Sequence, residues 1–175
     1  MYKRQVALGA NLTFFSPLKD ETLPECDAVW LPGGYPELHA ETLASNRQLW
    51  ASLETHVDCG KPLLAECGGM MALFETLVDI DGRNHAVAGL LPGSVAMQKN
   101  LAALGLQEIE LPEGVLRGHT FHYSNAQTPL AALVRATRPD GRPGEPVYRR
   151  KRMTASYIHL YFPSNPEAAG RLFLV

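Results

Sequence analysis

The sequence is short of cysteine, of net charge and of long apolar runs, and each shortage excludes a class of protein. Its 175 residues include three cysteines, whose odd number and spacing fit neither a disulfide framework nor a zinc site. This usage is typical of a reducing compartment, and we expect a cytoplasmic protein. No apolar run approaches the ~20 residues of a membrane span, and residues 1–15 do not form a signal peptide.

The charges are nearly balanced. Lysine and arginine total 16, aspartate and glutamate total 18, and the formal net charge is −2. We therefore expect no nucleic acid and no membrane surface as a partner. The single basic run, at residues 149–152, leads into an apolar segment and is typical of a solvated strand end.

The order of predicted elements in the first half indicates an α/β domain. Short apolar runs bounded by proline, glycine or charge predict strands at residues 12–16, 28–31 and 63–66. A capping box at Ser45 and Gln48 predicts a helix that ends near Gly60, and a second helix is predicted over 70–77. This alternation favours a mainly parallel central sheet with flanking helices.

The second half is richer in strands. They are predicted at residues 85–89, 115–124, 131–136 and 153–162, with a hairpin-like surface loop at 138–146. Asn165 followed by Pro166 predicts the start of a last helix. Residues 3–11 resemble a helix end with no strand before it. We therefore expect residues 1–175 to form one domain truncated at its N-terminus.

The stretch AECGG at 65–69 places a cysteine between a predicted strand and a predicted helix. Such an elbow holds a nucleophile in strained backbone geometry, and small residues such as Ala65 and Gly69 are needed around it. The helix N-terminus would lower the pKa of Cys67, and the Gly68 N–H could donate to an oxyanion. The alternative is a buried thiol in a core strand, the commoner fate of an isolated cysteine.

A cysteine nucleophile needs a base, and there are six histidines. Three lie in polar or turn-forming surroundings and are expected at the surface: His39, His56 and His85. His119 and His122 stand three apart on a predicted strand and point to opposite faces, so we expect no metal site. His159 lies near a strand end, where α/β folds collect their sites, although its spacing alone favours a core histidine.

Four motifs in series resemble one family: PGGYPE at 32–37, AECGG at 65–69, RGHTFHYS at 117–124 and ASYIHLYF at 155–162. On its own the glycine pair at 33–34 would equally fit an ordinary turn. Together the motifs are similar to the class I glutamine amidotransferase domain of the cobyrinic acid a,c-diamide synthases. The resemblance covers nearly the whole chain and implies a flavodoxin-like class I glutamine amidotransferase fold.

The resemblance also implies roles for individual residues. Glutamine would be hydrolysed through a thioester at Cys67, with His159 as the base and the N–H groups of Gly34 and Gly68 as the oxyanion hole. The residues expected to contact glutamine are Gly33, Tyr35, Met70, His119 and Tyr123.

The family's parent enzyme carries an N-terminal domain that binds ATP, Mg²⁺ and a corrinoid. The resemblance implies that ammonia passes to that domain and amidates the a and c acetate side chains of cobyrinic or hydrogenobyrinic acid. The present residues contain no G-x-x-x-x-G-K-[ST] phosphate loop, so we expect no cofactor in this chain. A homodimer is a further expectation.

Two positions depart from the family pattern. Tyr161 stands two residues after His159, where many class I amidotransferases have a glutamate, and Thr120 replaces the usual glutamate of GHEFHYS. What orients His159 is thus left open. The alternatives are the amidotransferase domain of cobyric acid synthase or of a nickel-sirohydrochlorin a,c-diamide synthase, a non-catalytic interaction domain, and a free-standing cysteine hydrolase of the same fold.

Overall fold

Two sheets and a few short helices make up the computed structural model, which describes Val6 and residues 9–174. The strands are β1 Val29–Leu31, β2 Leu63–Glu66, β3 Phe74–Val78, β4 Asn84–Ala86, β5 Leu91–Met97, β6 Ala103–Leu111, β7 Gly114–His122, β8 Ser124–Gln127, β9 Val134–Thr137, β10 Pro143–Arg150, β11 Met153–Ser156 and β12 His159–Leu160. The helices are α1 Ala40–Ser45, α2 Arg47–Asp58, α3 Gly68–Met71 and α4 Pro166–Arg171, with short 3-10 turns at Pro36–His39 and Phe162–Ser164.

The larger sheet has eight strands in the order β1-β2-β11-β10-β9-β6-β7-β12, and the smaller has the order β4-β3-β5-β8. In the larger sheet β1 and β11 run parallel to β2, and the other neighbours are antiparallel. The expected mainly parallel sheet is therefore wrong in this detail. Short connections such as those of β6–β7 and β10–β11 close hairpins, and a hairpin can join only antiparallel strands.

Helix α2 follows the predicted apolar pattern and packs its inner face into the core. Leu49, Leu53 and Val57 are at most 1% exposed. The predicted cap is wrong by one residue, since the Asn46 side chain accepts the Leu49 N–H at 3.4 Å. The Ser45 hydroxyl instead donates to the Thr42 carbonyl and closes α1. An Asn side chain satisfies an otherwise unpaired N–H of the first turn, which stabilises the helix start.

Several other predicted elements can be compared with the structure. The strand at 63–66 and the last helix are confirmed, with the Asn165 side chain accepting the Ala168 N–H at 3.1 Å. Residues 12–16 form no strand, and the helix predicted over 70–77 is wrong because α3 stops at Met71 and β3 begins at Phe74. The apolar run there pairs with β4 and β5, and short apolar runs do not distinguish strand from helix. The prediction for residues 3–11 lies largely outside the described residues.

The parallel strands bring three loops to one edge of the sheet. Leu31 of β1 pairs with Ala65 of β2, and Glu66 pairs with Ser156 of β11. The segments after these strands therefore leave the sheet side by side, as carboxyl ends of parallel strands do. Among the described residues, no helix combines the length and the apolar character needed to cross a membrane.

Candidate active site

Cys67 occupies a strained elbow between β2 and α3. Its backbone has φ 47° and ψ −111°, a conformation that non-glycine residues rarely adopt. The Cys67 N–H donates to the Ser156 carbonyl at 2.8 Å, and its carbonyl accepts the Met71 N–H at 2.9 Å. Strain of this kind costs about 1–3 kcal/mol and persists only where the surroundings hold it. These two hydrogen bonds fix the backbone on either side of Cys67.

The turn at 33–34 lies directly against this elbow. A β-carbon built on Gly68 would overlap the Gly34 carbonyl oxygen and lie 2.7 Å from the Gly34 nitrogen. A β-carbon on Gly69 would overlap the Leu31 carbonyl oxygen in the same way. Neither the Gly34 nor the Gly68 N–H donates to a backbone carbonyl within the part of the chain that the structure describes. Two N–H groups without a backbone acceptor thus lie beside the thiol, and that of Gly68 already interacts with the sulfur.

His159 reaches the same turn from the far edge of the sheet. It pairs with His119 across β12 and β7, and the two imidazoles stack with their centroids 5.1 Å apart. A β-carbon built on Gly33 would overlap the His159 ring and lie 3.1 Å from its Nδ1. Burial lowers the pKa of His159, and nearby His119 and His122 lower it further. The ring is therefore neutral at pH 7 and able to accept a proton.

The position of Cys67 at the start of a helix does not lower the pKa of its thiol. Burial raises its pKa to about 11, and the carboxylates of Glu37, Glu66 and Glu145 add to this, while the Gly68 N–H acts in the opposite direction. The expected lowering is wrong because α3 is a single turn, and its partial charge is small beside the loss of solvation. The sulfur lies 3.9 Å from the Phe121 carbonyl oxygen. Among the described residues, no hydrogen bond joins it to His159.

Glu66, next to the cysteine, has a carboxyl group that is almost completely buried. The residue is 1% exposed, its Oε1 accepts the Leu160 N–H at 2.9 Å, and its Oε2 accepts the Trp30 indole N–H at 3.2 Å. Burial raises the pKa of Glu66 to about 7, against the effect of these two hydrogen bonds. Sequence reasoning missed this residue, although a charged residue ending the apolar run LLAE was a visible signal.

A buried polar network lies behind the thiol. The Tyr157 hydroxyl lies 2.9 Å from the Ser124 hydroxyl, and the His122 ring stacks on Tyr157 at 3.6 Å. His122 Nδ1 lies 2.8 Å from the Ser124 carbonyl, which can only accept, and Nε2 lies 3.2 Å from Glu145. The Thr120 hydroxyl donates to the same carboxylate at 3.5 Å. Thr120, which stands where the family usually has a glutamate, therefore makes a contact inside the protein.

Comparison with known proteins identifies the family. Residues 6–167 match the CobB/CobQ-like glutamine amidotransferase domain. The chain belongs to this family. It is 55% identical over 166 residues to the hydrogenobyrinate a,c-diamide synthase of Pseudomonas aeruginosa, covering 94% of this chain and 38% of that protein. It is 48% identical over 169 residues to the cobyrinate a,c-diamide synthase of Herminiimonas arsenicoxydans, covering 95% of this chain and 39% of that protein.

A solved structure supports the fold of this amidotransferase domain. A crystal structure described as a glutamine amidotransferase superposes with a TM-score of 0.67 at 18% identity, covering 98% of this chain and 89% of the other. The predicted class I glutamine amidotransferase fold is confirmed. The chain spans 38–39% of the length of the two curated relatives named above.

The residues predicted for the site of this domain fall into three groups. Six are brought to the elbow and its two neighbouring segments: Gly33, Gly34, Cys67, Gly68, His119 and His159. Two have exposed rings on the adjoining surface, Tyr35 at 69% and Tyr123 at 40%. Met70 is fully buried in the core, which corrects its assignment as a glutamine contact.

The remaining histidines divide differently from the prediction. His56 is buried, and its Nε2 lies 3.0 Å from the Pro62 carbonyl, so its expected surface position is wrong. His39 is exposed, and His85 is partly buried beside Asp79 at 2.9 Å. His119 is exposed and His122 buried, which confirms that they point to opposite faces of β7. Within the described ranges, no group of three or more possible ligands could hold a metal ion.

Proposed function

We propose that this chain is the glutaminase domain of a hydrogenobyrinate or cobyrinate a,c-diamide synthase. The observation that carries the proposal is the position of the 33–34 turn. It lies against the elbow of Cys67 on one side and against the imidazole of His159 on the other. A nucleophile, a neutral base and two N–H groups without a backbone acceptor thus border one small region, as acyl transfer through a cysteine requires.

In the first step the Cys67 sulfur attacks the side-chain carbonyl carbon of glutamine. Because burial raises the thiol pKa to about 11, very little thiolate exists at pH 7. The neutral ring of His159 therefore removes the thiol proton as the sulfur–carbon bond forms. The two side chains share no hydrogen bond among the described residues, so they draw together when glutamine binds.

The tetrahedral intermediate places negative charge on the former carbonyl oxygen. The N–H groups of Gly34 and Gly68 donate to it, and the loss of one such donor costs about 3 kcal/mol of transition-state stabilisation. His159 then returns its proton to the departing nitrogen, the C–N bond breaks and ammonia leaves. Water, deprotonated by His159, attacks the thioester of Cys67 through a second oxyanion, and glutamate is released with the thiol restored.

Glutamine approaches from the side on which exposed side chains surround the elbow. Tyr35, His119 and Tyr123 are exposed there, and Gly33 provides close access to backbone atoms. We assign these four residues to the binding of glutamine. Aromatic and imidazole side chains with a polar tip suit a small zwitterion that must be held in both its apolar and its polar parts.

The ammonia serves an amidation carried out by a separate synthetase domain. That domain would bind ATP and Mg²⁺ and amidate the a and c carboxylates of a corrinoid. The support is that the two relatives are a,c-diamide synthases and that this chain matches 38–39% of their length. It also fits the lack of a phosphate loop in the 175 residues.

Glutamate release from glutamine tests the proposal, measured for the chain alone and after mixing with the synthetase part of the Pseudomonas aeruginosa relative. We expect release that rises with the added domain and vanishes in Cys67→Ala. Cys59→Ala is the matched control, because Cys59 is an exposed thiol away from the elbow. Glutamate release that persists in Cys67→Ala would contradict the proposal. A non-catalytic interaction domain would release no glutamate, either alone or mixed with the synthetase part.

A further inference from the structure

Strand β12 has two residues and, in the part of the chain that the structure describes, one strand neighbour. On one edge it pairs with β7, where the Tyr161 N–H donates to the Arg117 carbonyl at 2.7 Å. The Leu160 N–H points the other way, and its acceptor is the Oε1 of Glu66 at 2.9 Å. A buried backbone N–H needs an acceptor, and here a carboxyl group supplies what a neighbouring strand would supply elsewhere. This hydrogen bond therefore links β12 to β2.

The same carboxyl group connects the three segments of the site. Glu66 directly precedes Cys67, and Leu160 directly follows His159. The second oxygen of Glu66 accepts the indole N–H of Trp30 at 3.2 Å, and β1 leads from Trp30 into the turn at 33–34. One side chain thus joins the strand ends that carry the nucleophile, the base and the glycine turn.

We propose that Glu66 is the positioning residue that holds His159 at its working place beside Cys67. This inference rests on the proposed glutaminase function and supplies the orienting group left open at Tyr161. The Tyr161 side chain is 62% exposed and, among the described residues, makes no hydrogen bond to His159. Glu66 acts on the backbone after the histidine instead of on the imidazole.

The contacts require a residue that accepts on both oxygens. The Leu160 and Trp30 partners are both N–H donors, and the ionised Glu66 that prevails above pH 7 accepts from both. Glutamine at this position would turn its NH₂ group toward one of the two donors, and leucine would satisfy neither. Trp30→Phe removes one donor, so the oxygen of a glutamine at position 66 could then face Leu160 without opposition.

A double-mutant cycle on glutamate release tests the proposal, using the chain mixed with the synthetase part as above. We expect Glu66→Gln and Glu66→Leu to lower kcat about ten- to hundredfold, the size of effect that small misplacements of reacting groups produce. KM should stay within about threefold, since glutamine contacts are untouched. Trp30→Phe alone should lower kcat less than Glu66→Gln does, and Trp30→Phe with Glu66→Gln should recover much of the loss.

Glu75→Gln is the matched control. Glu75 also accepts a backbone N–H, that of Gly93 at 2.8 Å, but its side chain is exposed on the smaller sheet. Its kcat should equal that of the unmodified protein. The Leu160 amide and Trp30 indole signals in ¹H–¹⁵N spectra should move in the Glu66 variants and stay in place in the control.

The outcomes separate this inference from the proposed function. A folded Glu66→Gln variant with unchanged kcat, or a double variant no faster than Glu66→Gln, would overturn the positioning role while Cys67→Ala stays inactive. Turnover that survives Cys67→Ala would instead remove the function itself. If turnover is too slow to measure, the rate at which a diazoketone analogue of glutamine labels Cys67 replaces kcat. If Glu66→Leu does not fold, the Glu66→Gln cycle decides.

Discussion

Glu66 makes the stability of the fold depend on pH in a direction opposite to that of most carboxyl groups. Its pKa rises from the ordinary 4.5 to about 7 because burial disfavours the ionised form more than two hydrogen bonds favour it. Between these values the folded chain keeps a proton that the unfolded chain has lost. The free energy of unfolding therefore decreases as the pH rises through this range.

The magnitude follows from the two pKa values. A move from 4.5 to about 7, at about 1.4 kcal/mol per pH unit, amounts to about 3 kcal/mol. The stabilisation that comes from the protonated Glu66 is fully present below pH 4.5 and is lost above pH 7. For a protein of this size, about 3 kcal/mol changes the melting temperature by roughly 6–12 °C.

Urea unfolding at a series of pH values from 4.5 to 8 measures the effect. Glu66→Gln cannot ionise, so the difference in unfolding free energy between the unmodified protein and this variant isolates the carboxyl group from every other titrating residue. We expect the unmodified protein to lose about 3 kcal/mol relative to the variant as the pH rises. Circular dichroism is the better probe, because Trp30 contacts the mutated side chain. If the difference in unfolding free energy between the two proteins stayed constant within about 0.5 kcal/mol across this pH range, the reasoning would be refuted.

Three further predictions concern the elbow, the glycine turn and a helix cap. Gly33→Ala would drive a β-carbon into the imidazole of His159 and should lower kcat about a hundredfold. The β-carbon of Gly34→Ala would meet nothing within 4 Å, so this variant should lose less activity. Steady-state measurement of glutamate release compares the two variants. Mass spectrometry can follow the alkylation of Cys67 by iodoacetamide. Because the pKa of the thiol is about 11, the alkylation rate should increase about tenfold per pH unit up to pH 10. A rate that stops increasing near pH 7 would contradict this. Asn46→Ala should cost about 1 kcal/mol in urea unfolding and Ser45→Ala less, and equal losses would argue against the observed cap.

The family and the principal residues of the site could be predicted from short motifs. The segments around Gly33, Cys67 and His159 lie far apart in the chain, yet each carries a local pattern of glycines or of a polar residue at a strand end. The structure brings these segments together, although β1 and β12 stand at opposite ends of the strand order of the larger sheet. Local backbone demands, such as a glycine where a neighbour approaches closely, are visible in the sequence without knowledge of the partner.

The elements that were missed are those whose pairing decides their conformation. Strand β5 contains Pro92 and Gly93, and β10 has an irregular register between Pro143 and Pro146, so neither resembles a regular strand. The run after α3 has apolar residues that suit a helix equally well, and its pairing with β4 and β5 makes it a strand. The mixed character of the larger sheet follows from its hairpins β6–β7 and β10–β11.

The sequence by itself determined the family, the elbow at Cys67 and the buried face of α2, because each depends on neighbours in the chain. Only the tertiary structure decided the charge state of the thiol and the partners of Glu66. The sulfur is surrounded by apolar atoms and three carboxylates from separate segments, which raise its pKa instead of lowering it. The bond from Glu66 to Leu160 spans 94 residues. Solvation and such long-range hydrogen bonds exist only once the strands are packed together.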